Sequence, residues 1–241
     1  MKITVVTVCY NAEKLIEETI LSVINQTYSD IEYIIIDGAS TDGTMEIVNK
    51  YRDRISTIVS EPDKGIYDAM NKGIALATGE WLNFMNAGDV FCSNDVLEHI
   101  FSQKFDNKFS FIYSDNIFKE NGKKRYVVNN HEKLIILHQS SIYKKSLHNI
   151  HGFYIVTPKI IVSDLLFFAS IPQDEFYKID IPISCNLLGG VSSEKWCLEQ
   201  ALCTKVVFRK MTFGEMILHY ISSNLKRIFP FLRRKKYLDA K

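Results

Sequence analysis

The N-terminal part of the chain switches repeatedly between continuous apolar runs and stripes of period 3.6. Ile3 to Val8 is apolar and β-branched throughout, the pattern of a strand buried on both faces. Asn11 then stands in position to cap a helix whose apolar positions Leu15, Ile16, Ile20, Val23 and Ile24, with Thr19, share one face. Ile31 to Ile36 predicts a second strand, ended by Asp37-Gly38. Thr41 or Asp42 opens a short helix through Met45, Val48 and Tyr51, and Ile55 to Val59 predicts a third strand. Ile66, Ala69, Met70, Gly73, Ile74 and Ala77 form the clearest helical stripe; Gly79 ends it, and Trp81 to Met85 predicts a fourth strand. Strands alternating with helices imply crossover connections, hence a mainly parallel α/β sheet with helices on both faces.

After Asp89 the pattern changes. A helix is expected near Asp95 to Phe101. Phe109 to Phe118 and Arg125 to Val128 flank Asn121-Gly122, a hairpin signal. The apolar segment Leu134 to Leu137 leads to His138-Gln139, Ser163 to Ser170 predicts a short helix, and Phe176 to Ile183 a strand. No Pro- or Ser-rich linker divides these halves. The expected organisation is one domain over 1–204, with a ligand-binding half at 1–90 and a smaller α+β extension at 91–204, followed by a tail at 205–241. In that tail Phe213 to Phe229 repeats apolar residues at helical spacing. Pro230 stops it, and Arg233-Arg234-Lys235-Lys236 follows.

Composition sharpens this picture at three points. With 46% hydrophobic and 24% charged residues among 241, the chain can bury a full core. The net charge of +1 argues against a nucleic-acid binder, yet it hides a split: ten Lys or Arg against two acids from Lys205 onwards give the tail +8 and leave the body at −7. The five cysteines form no CxxC pair, and neither a leader-like run nor a stretch of about 18 apolar residues is visible. The expectation is a cytoplasmic protein, peripheral on the inner face of the membrane, whose basic tail meets an anionic surface.

Ligands of parallel sheets bind beyond the carboxyl ends of the strands. Those ends carry Cys9-Tyr10-Asn11, Asp37 to Gly43, Glu61 to Gly65 and Asn86 to Asp89, an acidic, oxygen-rich rim. Neither GxGxxG nor GxxxxGK[ST] follows the first strand. Oxygen donors suit Mg²⁺ or Mn²⁺ arriving with a diphosphate, which points to a nucleotide-activated donor. Blander roles stand beside these: Asp42 as a helix cap, Gly38 and Gly43 as turn residues, Asp68 and Asn71 as first-turn residues of a helix, and His138 as a structural histidine.

Val8 to Asn11, Ile34 to Thr44, Asp63 to Gly73 and Phe84 to Asp89 together resemble the family 2 glycosyltransferases of GT-A fold, in the branch that builds bacterial capsule, O-antigen and colanic-acid-like polysaccharides. The likeness continues more weakly through His138-Gln139, Ser163 to Leu165 and Gly189 to Ser192. It implies that Asp37 contacts the nucleobase with Tyr10 and Asn11 beside it, and that Asp63, Lys64 and Gly65 lie along the nucleotide. Asn86 to Asp89 takes the place of the DxD motif. Asn86 stands at an expected acid, which leaves Asp89 as the motif's carboxylate for the metal. Asp164 matches the general base of an inverting transfer of a hexosyl or N-acetylhexosaminyl group from a UDP- or GDP-sugar to a saccharide or lipid-linked acceptor. A non-catalytic sugar-nucleotide-binding protein of the same fold is the alternative. A nucleotidyltransferase would need a Gly-rich basic loop that Tyr10 to Glu13 does not provide.

Overall fold

A computed structural model describes residues 1–120, 123–187 and 195–228. Its larger sheet has seven strands. β1 (Ile3–Cys9), β2 (Ile31–Asp37), β3 (Thr57–Ser60) and β4 (Trp81–Phe84) come from the first part of the chain. Between them run α1 (Ile16–Ile24), α2 (Thr44–Lys50) and α3 (Ile66–Leu76). Every residue of β1 is buried. Val5 packs with Ile16, Ile20 and Val48 on one face, while Val6 packs with Met70 and Ile74 on the other. α3 approaches β1 closely, because a Cβ at Gly73 would lie 2.5 Å from Val6 Cγ1.

The second half adds β5 (Val90–Phe91), α4 (Val96–Phe101), β6 (Phe111–Tyr113), β7 (Asn116–Glu120), β8 (Lys123–Val127) and β9 (Ser141–Lys144). α5 (Leu147–His151), α6 (Ser163–Ser170), β10 (Phe176–Lys178), β11 (Ser184–Leu187), α7 (Lys195–Val207) and α8 (Phe213–Ile228) follow. The large sheet runs β10-β6-β9-β4-β1-β2-β3, and β9 is antiparallel to both its neighbours. The other pairings in it are parallel, as the alternating pattern predicts. A smaller sheet, β5-β11-β7-β8, lies apart.

Four expectations change. Asn11 does not cap α1, which begins at Ile16 beyond a turn. Of the run Phe176 to Ile183 only Phe176–Lys178 is a strand, β10; Pro182 has no N–H to give a ladder, and β11 begins beyond the run at Ser184. β9 enters the middle of the sheet and α7 follows β11, neither announced by a long periodic run. α7 also spans the boundary drawn at 204/205. The β7–β8 register, Glu120 opposite Lys123, is that of the expected hairpin. Asn121-Gly122, Gly189 to Ser192 and Arg233 to Lys236 lie outside the described residues.

Candidate active site

The rim forms where β1 to β4 end, and one cluster there is a set of crossed loops. Asn11 takes a left-handed φ of +47° and Ala39 one of +62°, conformations held only where surrounding bonds fix them. The Asn11 amide donates to Ser40 Oγ at 2.8 Å, and the Thr41 amide donates to Asn11 Oδ1 at 2.9 Å. Asp37, fully buried, accepts from the Ser40 amide (3.0 Å), Ser40 Oγ (2.5 Å) and Ser60 Oγ (2.6 Å). The Cys9 thiol beside it is pushed far up, by burial first and then by Asp37, and stays protonated. Asp42 accepts from the Thr44 amide at 3.0 Å and the Glu13 amide at 3.1 Å, so its carboxylate opens α2 and ties down the first loop.

Asp63 Oδ1 accepts from the Gly65 amide at 2.8 Å, and its Oδ2 lies 2.6 Å from where a Cβ on Gly38 would stand. A side chain at position 38 would push the Asp63 carboxylate aside. Gly65 has a φ of +108° and starts α3, whose first turn places Asp68 to accept from the Lys64 amide at 3.0 Å. Tyr10 leaves 64% of its surface open at the rim, and the Lys64 side chain is also exposed. Tyr10, Asn11, Asp37, Asp63, Lys64 and Gly65 thus gather at the β1–β3 side.

The second cluster joins residues far apart in sequence. Beyond β4, the Asp89 amide donates to Asn86 O at 2.9 Å and closes a turn. The buried Asp89 carboxylate accepts from Gln139 Nε2 at 2.9 Å and from the Leu187 amide at 3.3 Å. Burial raises its pKa, while the Gln139 bond and the nearby His138 oppose the rise. His138 sits in a 3-10 turn, His138–Ser140, that feeds β9. Its Nε2 lies 2.8 Å from Asn86 Nδ2, and its Nδ1 lies 2.9 Å from Asp164 Oδ2. Asp164, in the first turn of α6, also accepts at Oδ1 from the Tyr67 hydroxyl (2.7 Å) and the Leu165 amide (2.9 Å). Burial alone would raise its pKa, but His138 and Tyr67 hold it below the ordinary carboxylate value. Asn86 Oδ1 and Gln139 Oε1 are buried without a hydrogen-bond partner. Each is an acceptor that a ligand hydroxyl can satisfy.

The sequence reading identified Asn86, Asp89 and Asp164, and the fold brings them together. It assigned no role to Gln139 or Tyr67 and fixed none for His138. The one available signal was a polar His-Gln pair closing an apolar run. Among the described residues no group of three or more His, Cys, Asp or Glu is placed to hold a metal ion. Asp89 nevertheless fits one: each oxygen accepts a single hydrogen bond and keeps a lone pair. One carboxylate plus substrate phosphates is a common way to hold Mg²⁺.

The large, mainly parallel sheet flanked by helices is the fold of GT-A structures. The model of glycosyl transferase family 2 matches residues 4–165, and the chain belongs to that family. It is 28% identical over 183 residues to the PGL/p-HBAD biosynthesis glycosyltransferase of Mycobacterium bovis, covering 71% of this chain and 72% of that protein. It is 32% identical over 114 residues to the Escherichia coli UDP-Glc:alpha-D-GlcNAc-diphosphoundecaprenol beta-1,3-glucosyltransferase WfaP, covering 47% and 45%. Among solved structures, S. aureus TarS in complex with UDP superposes with a TM-score of 0.70 at 18% identity, over 98% of this chain and 76% of that one. The Pyrobaculum calidifontis mannosyltransferase PcManGT, in complex with GDP-Man and Mn²⁺, gives 0.65 at 16% identity, over 95% and 81%. The protein is a glycosyltransferase.

Proposed function

We propose that this enzyme transfers a hexosyl or N-acetylhexosaminyl group, with inversion, from a UDP- or GDP-sugar to a saccharide or lipid-linked saccharide during cell-surface polysaccharide synthesis. The observation that carries the reading is the convergence of Asp164, His138, Asn86 and Asp89, which sets a proton-accepting group beside the donor rim. Residues 1–90 take the donor. Tyr10, Asn11 and Asp37 lie at the nucleobase, Asp63, Lys64 and Gly65 lie along the nucleotide, and the unpartnered Asn86 Oδ1 accepts from a ribose hydroxyl. Residues 91–204 carry the acceptor side.

Inversion needs the acceptor hydroxyl to lose its proton as it attacks opposite the departing diphosphate. Asp164 is the carboxylate behind that removal, ionised because its hydrogen bonds outweigh its burial. Asp89 would hold a divalent ion, Mg²⁺ or Mn²⁺, whose charge would offset that developing on the leaving diphosphate. The relatives' names and the ligands of the superposed structures support a UDP or GDP donor and a diphosphate-lipid-linked acceptor. The test is transfer from UDP-glucose, UDP-GlcNAc and GDP-mannose to short saccharides and diphosphate-lipid-linked GlcNAc. Asp164→Asn is expected to bind UDP or GDP as wild type does but to lose transfer by a factor on the order of 10² or more. A variant that transfers normally puts the carboxylate's role elsewhere.

A further inference from the structure

Gln139 reaches the rim from the far side of β4. In the large sheet β9 lies beside β4 and antiparallel to it, so the turn that feeds β9 stands at the end of β4 where Asn86 to Asp89 follow. That turn is held by β4 and β7. The Gln139 carbonyl accepts from Asn83 Nδ2 at 3.2 Å, the Ser141 carbonyl accepts from the same amide at 2.9 Å, and Ser140 Oγ donates to the buried Asn116. The side-chain amide has a fixed sense as well. An ionised carboxylate only accepts hydrogen bonds, so the 2.9 Å contact with Asp89 Oδ2 is made by Nε2 and leaves Oε1 purely an acceptor. Oε1 is buried and has no donor among the described residues. A buried acceptor is costly to leave empty, so a native fold keeps one where something else fills it.

The order of the strand ends points to the missing donor. Asp37 ends β2, Asp63 follows β3, and Tyr10 and Asn11 follow β1; in the transfer reading these take the nucleoside end of the donor. Asn86 and Asp89 follow β4, with the ribose contact and the diphosphate. Gln139 precedes β9, one strand further along. A nucleoside diphosphate sugar laid across the rim in that order brings its sugar to Gln139. The residue before it, His138, touches Asp164 at 2.9 Å, so the attacking side of the sugar lies next to the same turn. Building on the transfer reading above, we propose that Gln139 Oε1 accepts a hydrogen bond from one hydroxyl, or the acetamido N–H, of the transferred hexosyl unit and thereby selects the donor sugar. Selection follows because a sugar lacking that group leaves Oε1 unpaired in a closed site. The same side chain holds Asp89 through Nε2, so it spans the diphosphate and the sugar. A trapped water is the other way to fill Oε1, and it would leave the enzyme indifferent to sugar hydroxyls.

The experiment compares UDP-glucose, UDP-GlcNAc and GDP-mannose with analogues that each lack one hydroxyl, or the acetamido group, of the sugar. Calorimetric affinity and kcat/KM are measured for wild type, Gln139→Met and Gln139→Leu, with folding checked by thermal melts. Both substitutions remove the acceptor, and both also release Asp89. The quantity read is therefore the ratio of parent to analogue within each protein, from which the common loss at Asp89 cancels. In wild type, removal of one particular group is expected to lower affinity and kcat/KM about tenfold or more, and in the variants that ratio falls to within about twofold of unity. A wild type that tolerates the loss of every group, or a folded variant that discriminates as sharply as wild type, overturns the proposal. So does a Gln139-dependent penalty on UDP lacking a ribose hydroxyl with none on the sugar, which puts Oε1 at the ribose. A wild type that binds the parent donors with the expected discrimination yet transfers to no acceptor sinks the transfer reading and leaves the sugar contact standing.

Discussion

Asp89 is pulled in two directions. Burial raises its pKa, and Gln139, His138 and the Leu187 amide offset only part of that rise. Replacing it by Ala removes the carboxylate proposed to hold the metal and frees both donors. Asp89→Ala is expected to abolish divalent-dependent donor binding and to cost several kcal/mol of transition-state charge stabilisation. Asp89→Asn, which retains an acceptor, separates charge from folding. A titration of UDP binding with and without Mn²⁺ checks both, and a metal response unchanged in either variant removes Asp89 as the ligand. The acids were legible because each follows a strand or opens a helix. Their partners were not, because Tyr67 and Asp164 are 97 positions apart and no periodicity links them.

Single elements were legible in proportion to their length and uniformity. β1, β2 and α3 are long and evenly patterned. β9 has four residues, Ser-Ile-Tyr-Lys, and only its neighbours β4 and β6 make it a strand. At the opposite end of the sheet from the rim, Glu32 of β2 clips three segments together. Burial pushes its pKa up, but hydrogen bonds from Thr4 and Thr78, aided by Lys2, bring it down to about 2. Because the folded value is depressed, the clip stabilises fully above its unfolded value near 4.5 and is lost as pH falls from there towards 2. Screened by the solvent that still reaches the carboxylate, that shift is worth about 1–2 kcal/mol. Urea unfolding of wild type and Glu32→Gln should differ by that order at pH 7, and the gap should narrow as pH falls from 4.5 towards 2. A gap that does not narrow on acidification shows that Glu32 acts through packing instead.

At the scale of the whole molecule the charge split acquires a shape. No described helix is long and apolar enough to cross a membrane. α8 instead leaves Phe213, Ile217, Leu218 and Ile221 exposed, with Leu218 at 69%. We propose that this face enters a bilayer interface, helped by Lys226, Arg227 and Arg233 to Lys236, whose side chains lie outside the described residues. Basic residues near an anionic leaflet contribute about 1 kcal/mol each and are screened by salt. The full chain should therefore co-sediment with anionic vesicles, less with neutral ones and less at high salt, while a chain ending at Thr212 stays in solution. Equal pelleting of the two chains would make α8 an ordinary packing helix. Composition made the tail visible; the exposed face became visible only once α8 was placed beside α7.

The reversed strand β9 also gives assembly an order. β1 to β4 and the turn to Asp89 come from one continuous stretch of chain, so a growing polypeptide can pair them before the rest exists. His138 and Gln139 arrive with β9, which must insert beside β4, and Asp164 follows later still. These non-local contacts form late because the intervening chain must first be closed into a loop. The strand ends of β1 to β4 can thus be in place before His138 and Asp164 reach them.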